Sequence, residues 1–222
     1  MPTTTGTIAH GGTHEIEIRK SRFICSIERT AVESAARAFI DATRKRFWDA
    51  SHNCTAFRIG ERGDIQRSSD DGEPAGTAGL PMLEVLRKRD LVDLTAVVSR
   101  YFGGTMLGAG GLIRAYGQSV GETISTLGII ERQPRHRLDI RIGHNDAGRI
   151  EHAIRTAAHE LADVVYGDRQ VTFVLYLGAE LLPVVEAWIA ELTNGRASLS
   201  RSGVIWIDVP VGERSSLDAA SR

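Results

Sequence analysis

Residues 97–116 read Val97-Val98-Ser99-Arg100-Tyr101-Phe102-Gly103-Gly104-Thr105-Met106-Leu107-Gly108-Ala109-Gly110-Gly111-Leu112-Ile113-Arg114-Ala115-Tyr116. The stretch starts as an apolar strand, passes through five glycines and leaves as an amphipathic helix. A loop so poor in side chains exposes backbone N–H groups, and at a helix start the dipole favours an anion there. Glycines also permit tight turning and close strand–helix packing. Both readings stand at this point.

Working outward, the helix that begins at this loop carries Leu112, Ala115, Tyr116, Ser119, Val120, Thr123, Ile124 and Leu127 on one face and stops at Gly128. On the other side, Leu94–Arg100 reads as a buried strand. Before it lies Ser68-Ser69-Asp70-Asp71-Gly72-Glu73-Pro74-Ala75-Gly76-Thr77, a loop rich in glycine and carboxylate. It leads into a helix that runs to about Lys88, with Thr77 as the expected N-cap. Further back, His14–Arg19 and Ser21–Arg29 alternate as an antiparallel pair of strands, and His52–Ile59 is a third strand, with Ile65–Arg67 continuing a hairpin. Thr30-Ala31-Val32-Glu33 has the form of a capping box for a helix ending at Arg44-Lys45-Arg46. Residues 1–11 lack apolar periodicity and are expected to fray.

Ile129–Arg137, with Pro134 and several charges, reads as a linker. Beyond it the order is strand, helix, strand, strand, helix, strand. Asn145 or Asp146 is the expected first helix cap, Asn194-Gly195 stops the second helix, and Val204–Val209 is the last strand. That β-α-β-β-α-β order is the one of a ferredoxin-like module. Residues from Ser215 onwards are expected to be disordered. The fold class is α+β, with domains at 12–130 and 136–212.

Hydrophobic content of 42% and charged content of 25% are ordinary for a globular protein. No apolar run is long enough to span a membrane, and the beginning lacks the order of a signal peptide. Cys25 and Cys54 lie apart in apolar segments, as buried thiols of a reducing compartment do, so a cytoplasmic location is expected. Net charge is −1, and cations and carboxylates nearly balance on either side of residue 132. A nucleic-acid surface would therefore have to be a local patch.

The glycine-rich stretch lacks the lysine of a phosphate-binding GxxxxGK[ST] loop, and it does not match the dinucleotide GxGxxG pattern. What it offers is a cluster of amides at Gly103, Gly104, Gly110 and Gly111. Arg100 and Arg114 flank them as arginines able to grip phosphate, with Tyr101 able to stack on a base. Asp70, Asp71 and Glu73 can hold a divalent ion or divide acid–base roles, but loop structure and capping account for them more simply. The four histidines at 136, 144, 152 and 159 do not fall at metal-ligand spacing, and neither a metal nor a cofactor is expected.

Three ordered motifs add a resemblance. They are Ser21-Arg22-Phe23, then Asp70-Asp71-Gly72-Glu73-Pro74 with Gly76-Thr77-Ala78-Gly79-Leu80-Pro81-Met82-Leu83, then Arg100–Tyr116. Together they resemble the YigZ/IMPACT family, and the C-terminal half is similar to the smaller domain of bacterial YigZ-type members. The resemblance implies an N-terminal domain like the second domain of a ribosomal small-subunit protein and the fourth domain of elongation factor G. It also implies a ferredoxin-like C-terminal domain, and a translation-associated regulator that binds RNA, the ribosome or a protein partner without catalysis. Arg22 joins the expected binding residues on that ground. The alternative is an enzyme acting on a phosphorylated small molecule through the glycine-rich and acidic loops.

Overall fold

The computed structural model describes residues 4–157, 159 and 161–211. The protein is a mixed α+β chain of two units that divide between Arg132 and Gln133.

The first unit contains β1 (Thr5–Ile8), β2 (Gly12–Ile18), β3 (Ser21–Arg29), α1 (Glu33–Arg46), β4 (His52–Ile59), β5 (Ile65–Ser69), α2 (Gly79–Lys88), β6 (Leu94–Tyr101) and α3 (Ala109–Leu127). Its main sheet runs β2-β3-β6-β4-β5, with every pairing antiparallel. The β2–β3 turn places Arg19 and Lys20 both at positive φ, the conformation whose twist suits a two-residue hairpin. Strand alternation then sorts the sheet into two faces. Phe23, Cys25, Ile27, Cys54, Ala56 and Val98 meet Met82 and Leu86 of α2 and Leu112, Tyr116, Val120 and Ile124 of α3. Phe57, Ile59 and Val97 point the other way, against Ala36 and Ile40 of α1. Each fully buried large side chain contributes about 1.5–3 kcal/mol, so the α2/α3 face carries most of this unit's stability.

Several local expectations are corrected. Residues 5–8 do not fray: Thr5–Ile8 pairs antiparallel with Ile129–Arg132, and Ile8 is fully buried. Four residues are too few to display a period, and the partner lies at the far end of the unit. Thr30 does not cap α1. Its hydroxyl shares a 2.7 Å hydrogen bond with Thr95, its N–H bonds the Asp93 carbonyl, and Val32 occupies the cap position. Thr77 does not cap α2 either, since its hydroxyl donates to the Pro74 carbonyl.

The expected linker is instead strand. Residues 129–143 form β7 (Ile129–Gly143), whose segment from His136 onwards belongs to the second unit and pairs with β9 (Gln170–Leu177). That unit also holds α4 (His144–Thr156), β8 (Leu161–Tyr166), α5 (Leu182–Thr193) and β10 (Ser198–Pro210), and its strands lie in the order β10-β7-β9-β8. Leu138, Ile140, Phe173 and Leu175 pack with Ile150 and Ile154 of α4 and Val185 and Ile189 of α5. Gly143, rather than Asn145 or Asp146, stands at the α4 cap, while Asn194 ends α5 in the left-handed region as its sequence foretold. Ser215 onwards lies outside the described residues.

Candidate functional site

β6 delivers Arg100 and Tyr101 to opposite faces because adjacent strand residues alternate. Register places Arg100 beside Phe23 and Tyr101 beside Arg22. The expected binding residues are therefore divided between two places.

On the α2/α3 face Arg100 is only 5% exposed. Its Nη1 donates to Glu73 Oε1 at 2.6 Å, and its Nη2 reaches the Ser21 hydroxyl at 3.4 Å. The guanidinium lies 5.4 Å from the Phe23 ring centroid and 5.7 Å from that of Phe102, within cation–π range. Glu73, 8% exposed, also accepts the Tyr116 hydroxyl on the same Oε1 at 2.7 Å. Deleting one member of such a buried pair costs about 3–5 kcal/mol, because the other charge is left without a partner. His52 Nδ1 lies 2.9 Å from the Asp71 carbonyl. A carbonyl only accepts, so Nδ1 bears the hydrogen of that contact, and Nε2 lies 4.0 Å from Glu73 Oε2. The Cys54 sulfur contacts the Asp70 carbonyl at 3.0 Å and the Tyr116 hydroxyl at 3.4 Å. Burial pushes the Cys54 thiol up to about 12, and burial with the neighbouring Cys54 and Glu73 raises Tyr116 as well. Neither group is poised to become a nucleophile at neutral pH.

The acidic loop gives its three carboxylates separate tasks. Asp70 accepts from the N–H groups of Gly76, Ala78 and Gly79 at 2.8, 3.0 and 2.8 Å, and so caps α2 from nine residues away. Asp71 accepts from the Asn53 amide at 2.7 Å and from Arg44 at 3.1 Å. Only Glu73 enters the Arg100 network. Among the described residues, no group of three or more His, Cys, Asp or Glu side chains is placed to hold a metal ion.

The glycine-rich loop is fastened at its start and open beyond it. Phe102 and Gly103 donate their N–H groups to the hydroxyls of Ser51 and Ser21 at 3.3 and 3.2 Å. Gly103 lies against the Lys20–Ser21 backbone, closer than any side chain would permit. Gly104 and Gly108 sit at φ +82 and +69, and Gly108 stands in the cap position of α3. Glu73 and Arg100 line a cleft of about 450 Å³ whose walls are Pro74, Phe102, Met106, Leu107 and Leu112 and which ends on Gly108 and Ala109. Arg114 is exposed on α3, and Gly110 and Gly111 lie in the first turn.

On the other face Arg22 lies 5.3 Å from the Tyr101 ring centroid and grips Glu15 with two hydrogen bonds of 2.7 and 3.0 Å. That guanidinium holds the Glu15 carboxyl below the usual carboxylate range. Tyr101 donates its hydroxyl to Asp49 at 2.7 Å. The neighbouring Trp48 is 82% exposed and follows the Arg44-Lys45-Arg46 run and Phe47. Sequence reasoning passed over Trp48, although a large aromatic in a polar turn behind a basic triplet was a usable signal. It also passed over the Tyr116 hydroxyl. A tyrosine on the inward face of a helix needs a partner for its polar tip.

Residues 19–124 match the family described as Impact N-terminal domain, and residues 140–196 match Domain of unknown function (DUF1949). The chain is 43% identical over 205 residues to IMPACT family member YvyE of Bacillus subtilis, covering 92% of this chain and 94% of that protein. It is 35% identical over 187 residues to IMPACT family member YigZ of Escherichia coli, covering 82% and 90%. The Protein IMPACT homolog of Saccharomyces cerevisiae is 35% identical over 95 residues, 40% of this chain and 36% of that one. A solved structure described as that of an hypothetical protein superimposes with a TM-score of 0.57 at 32% identity, covering 95% of this chain and 98% of that chain.

Proposed function

The chain belongs to the YigZ/IMPACT family, and from that premise we propose that it is a translation-associated protein that binds RNA, including ribosomal RNA, without catalysis. The observation that carries this reading is the Arg22–Tyr101 stack, whose Tyr101 hydroxyl reaches Asp49, the residue after the exposed Trp48. An arginine stacked on an aromatic ring, with a further exposed aromatic one residue from the group that holds that ring, is the kind of surface on which an unpaired base stacks while a cation meets the backbone. With net charge at −1, this local patch and not the overall field must supply the attraction. The fold names agree with this role by analogy only: an elongation factor G domain IV-like first unit and a ferredoxin-like second unit are architectures that occur in translation proteins.

Filter binding to a structured RNA across a salt series tests the reading. Affinity is expected to fall with salt, and Trp48→Ala and Tyr101→Ala are each expected to weaken binding about tenfold, the scale of one lost base stack. No binding, or binding indifferent to salt and to both substitutions, would overturn it.

A further inference from the structure

The cleft over Glu73 and Arg100 lies on the sheet face opposite Tyr101, and the stacking patch makes no use of it. Its polar floor is half committed. Glu73 Oε1 receives both Arg100 and Tyr116, which fill its two acceptor positions, while none of the described residues donates a hydrogen bond to Oε2 and His52 Nε2 stands 4.0 Å from it. Glu73 as a residue is more than nine-tenths buried, and its Oε2 keeps acceptor positions open to a donor that enters the cleft. Arg100 already balances the carboxylate charge, so that donor is best supplied by neutral N–H groups and not by a second cation.

The walls narrow the class further. Phe102 and Met106 remain 53% and 82% exposed at the cleft, apolar groups that a flat ring would cover. The cleft ends on the first turn of α3, where amide N–H groups lack intrahelical partners and favour a phosphate. A flat ring, an edge of N–H donors and an attached phosphate together describe a nucleotide read by its Watson–Crick edge, as in pockets that accept an unstacked base. Among the four bases, guanine sets two donors side by side, N1–H and the 2-amino group. Adenine, cytosine and uracil each set an acceptor next to the donor, and that acceptor would face the carboxylate.

We infer that this cleft is a pocket for an unstacked guanine base, with Glu73 Oε2 accepting from the guanine edge and Phe102 covering the ring. The inference rests on the RNA-binding reading, because the base arrives as part of a strand. Calorimetric titration of the full chain with two pentanucleotides tests it, one of uridines alone and one with a central guanosine. The guanosine strand is expected to bind about tenfold more tightly, and central inosine, which lacks the 2-amino group, is expected to lose most of that gain. Phe102→Ala, at an exposed side chain, is expected to erase the guanosine preference in a protein that still folds. Glu73→Gln is expected to do the same where it folds, and the inosine strand probes the contact without altering the protein. Equal binding of the three strands, or a preference untouched by Phe102→Ala, overturns the pocket. If salt-dependent, Trp48-dependent binding persists in that case, the RNA reading survives alone. If no strand binds and structured RNA does not bind either, both fall.

Discussion

A methyl group at Gly103 would overlap the Lys20 carbonyl and crowd the Ser21 nitrogen, because the loop after β6 lies on the β2–β3 turn. Gly104 and Gly108 are glycine for a different reason. Their φ values of +82 and +69 fall in the left-handed region, yet an added Cβ would meet nothing within 4 Å. The consequences should separate in chemical denaturation. Gly103→Ala must push backbone from backbone and is expected to cost about 3 kcal/mol, at the upper end of overpacking penalties. Gly104→Ala carries only the left-handed penalty, about 1 kcal/mol. Equal losses at the two positions would show that the contact with the turn is not what fixes residue 103. The sequence displayed a run of glycines but not this division of labour, since the Lys20–Ser21 backbone that excludes a side chain comes from a hairpin far away in the chain.

At the scale of elements, the periodic helices and the alternating strands of the first unit were legible, because one face of each meets a core and the residue pattern records that face. Ends and connections were not. Thr30 and Thr77 have the right chemistry for caps, but each hydroxyl found a nearer partner in the folded chain. Residues 129–137 looked like a linker because Pro134 and charges break the apolar pattern. In the structure Arg135 meets Gln133, Arg137 meets Asp139, and strand pairing absorbs the segment. The motifs pointed to Glu73 and Arg100 individually, while their pairing depends on sheet register and on Asp70 holding the loop against α2. That capping role gives a pH signature. Burial works to raise the Asp70 pKa, but the Gly76, Gly79 and Ala78 amides outweigh it and hold the carboxyl below its ordinary 3.8. A folded-state pKa that is lowered contributes stability above the ordinary value and loses it as pH falls through the folded value. Asp70→Ala is expected to cost about 2 kcal/mol at neutral pH. In urea titrations, its deficit relative to wild type should shrink as pH is taken below the ordinary aspartate range. A deficit that stays constant with pH would refute the charged cap.

Among the described residues the buried side chains form two clusters within the first unit and one within the second. The first unit keeps the pairing of β1 with Ile129–Arg132 if the chain is cut after Arg132. A fragment of residues 1–132 is therefore expected to fold alone, melt cooperatively by circular dichroism and retain the salt-dependent RNA binding proposed for the full chain. An unfolded fragment would show that its core depends on the rest. The fastenings of the glycine-rich loop add a consequence in time. They join Gly103 to Ser21 across 82 positions, Phe102 to Ser51 across 51 and Arg100 to Glu73 across 27. Closing such long loops is slow and entropically costly, so the cleft takes shape only after the hairpin, the acidic loop and β6 have assembled. It is a late product of folding, and whatever occupies it acts on the finished fold, slowing unfolding without hastening the search that precedes it.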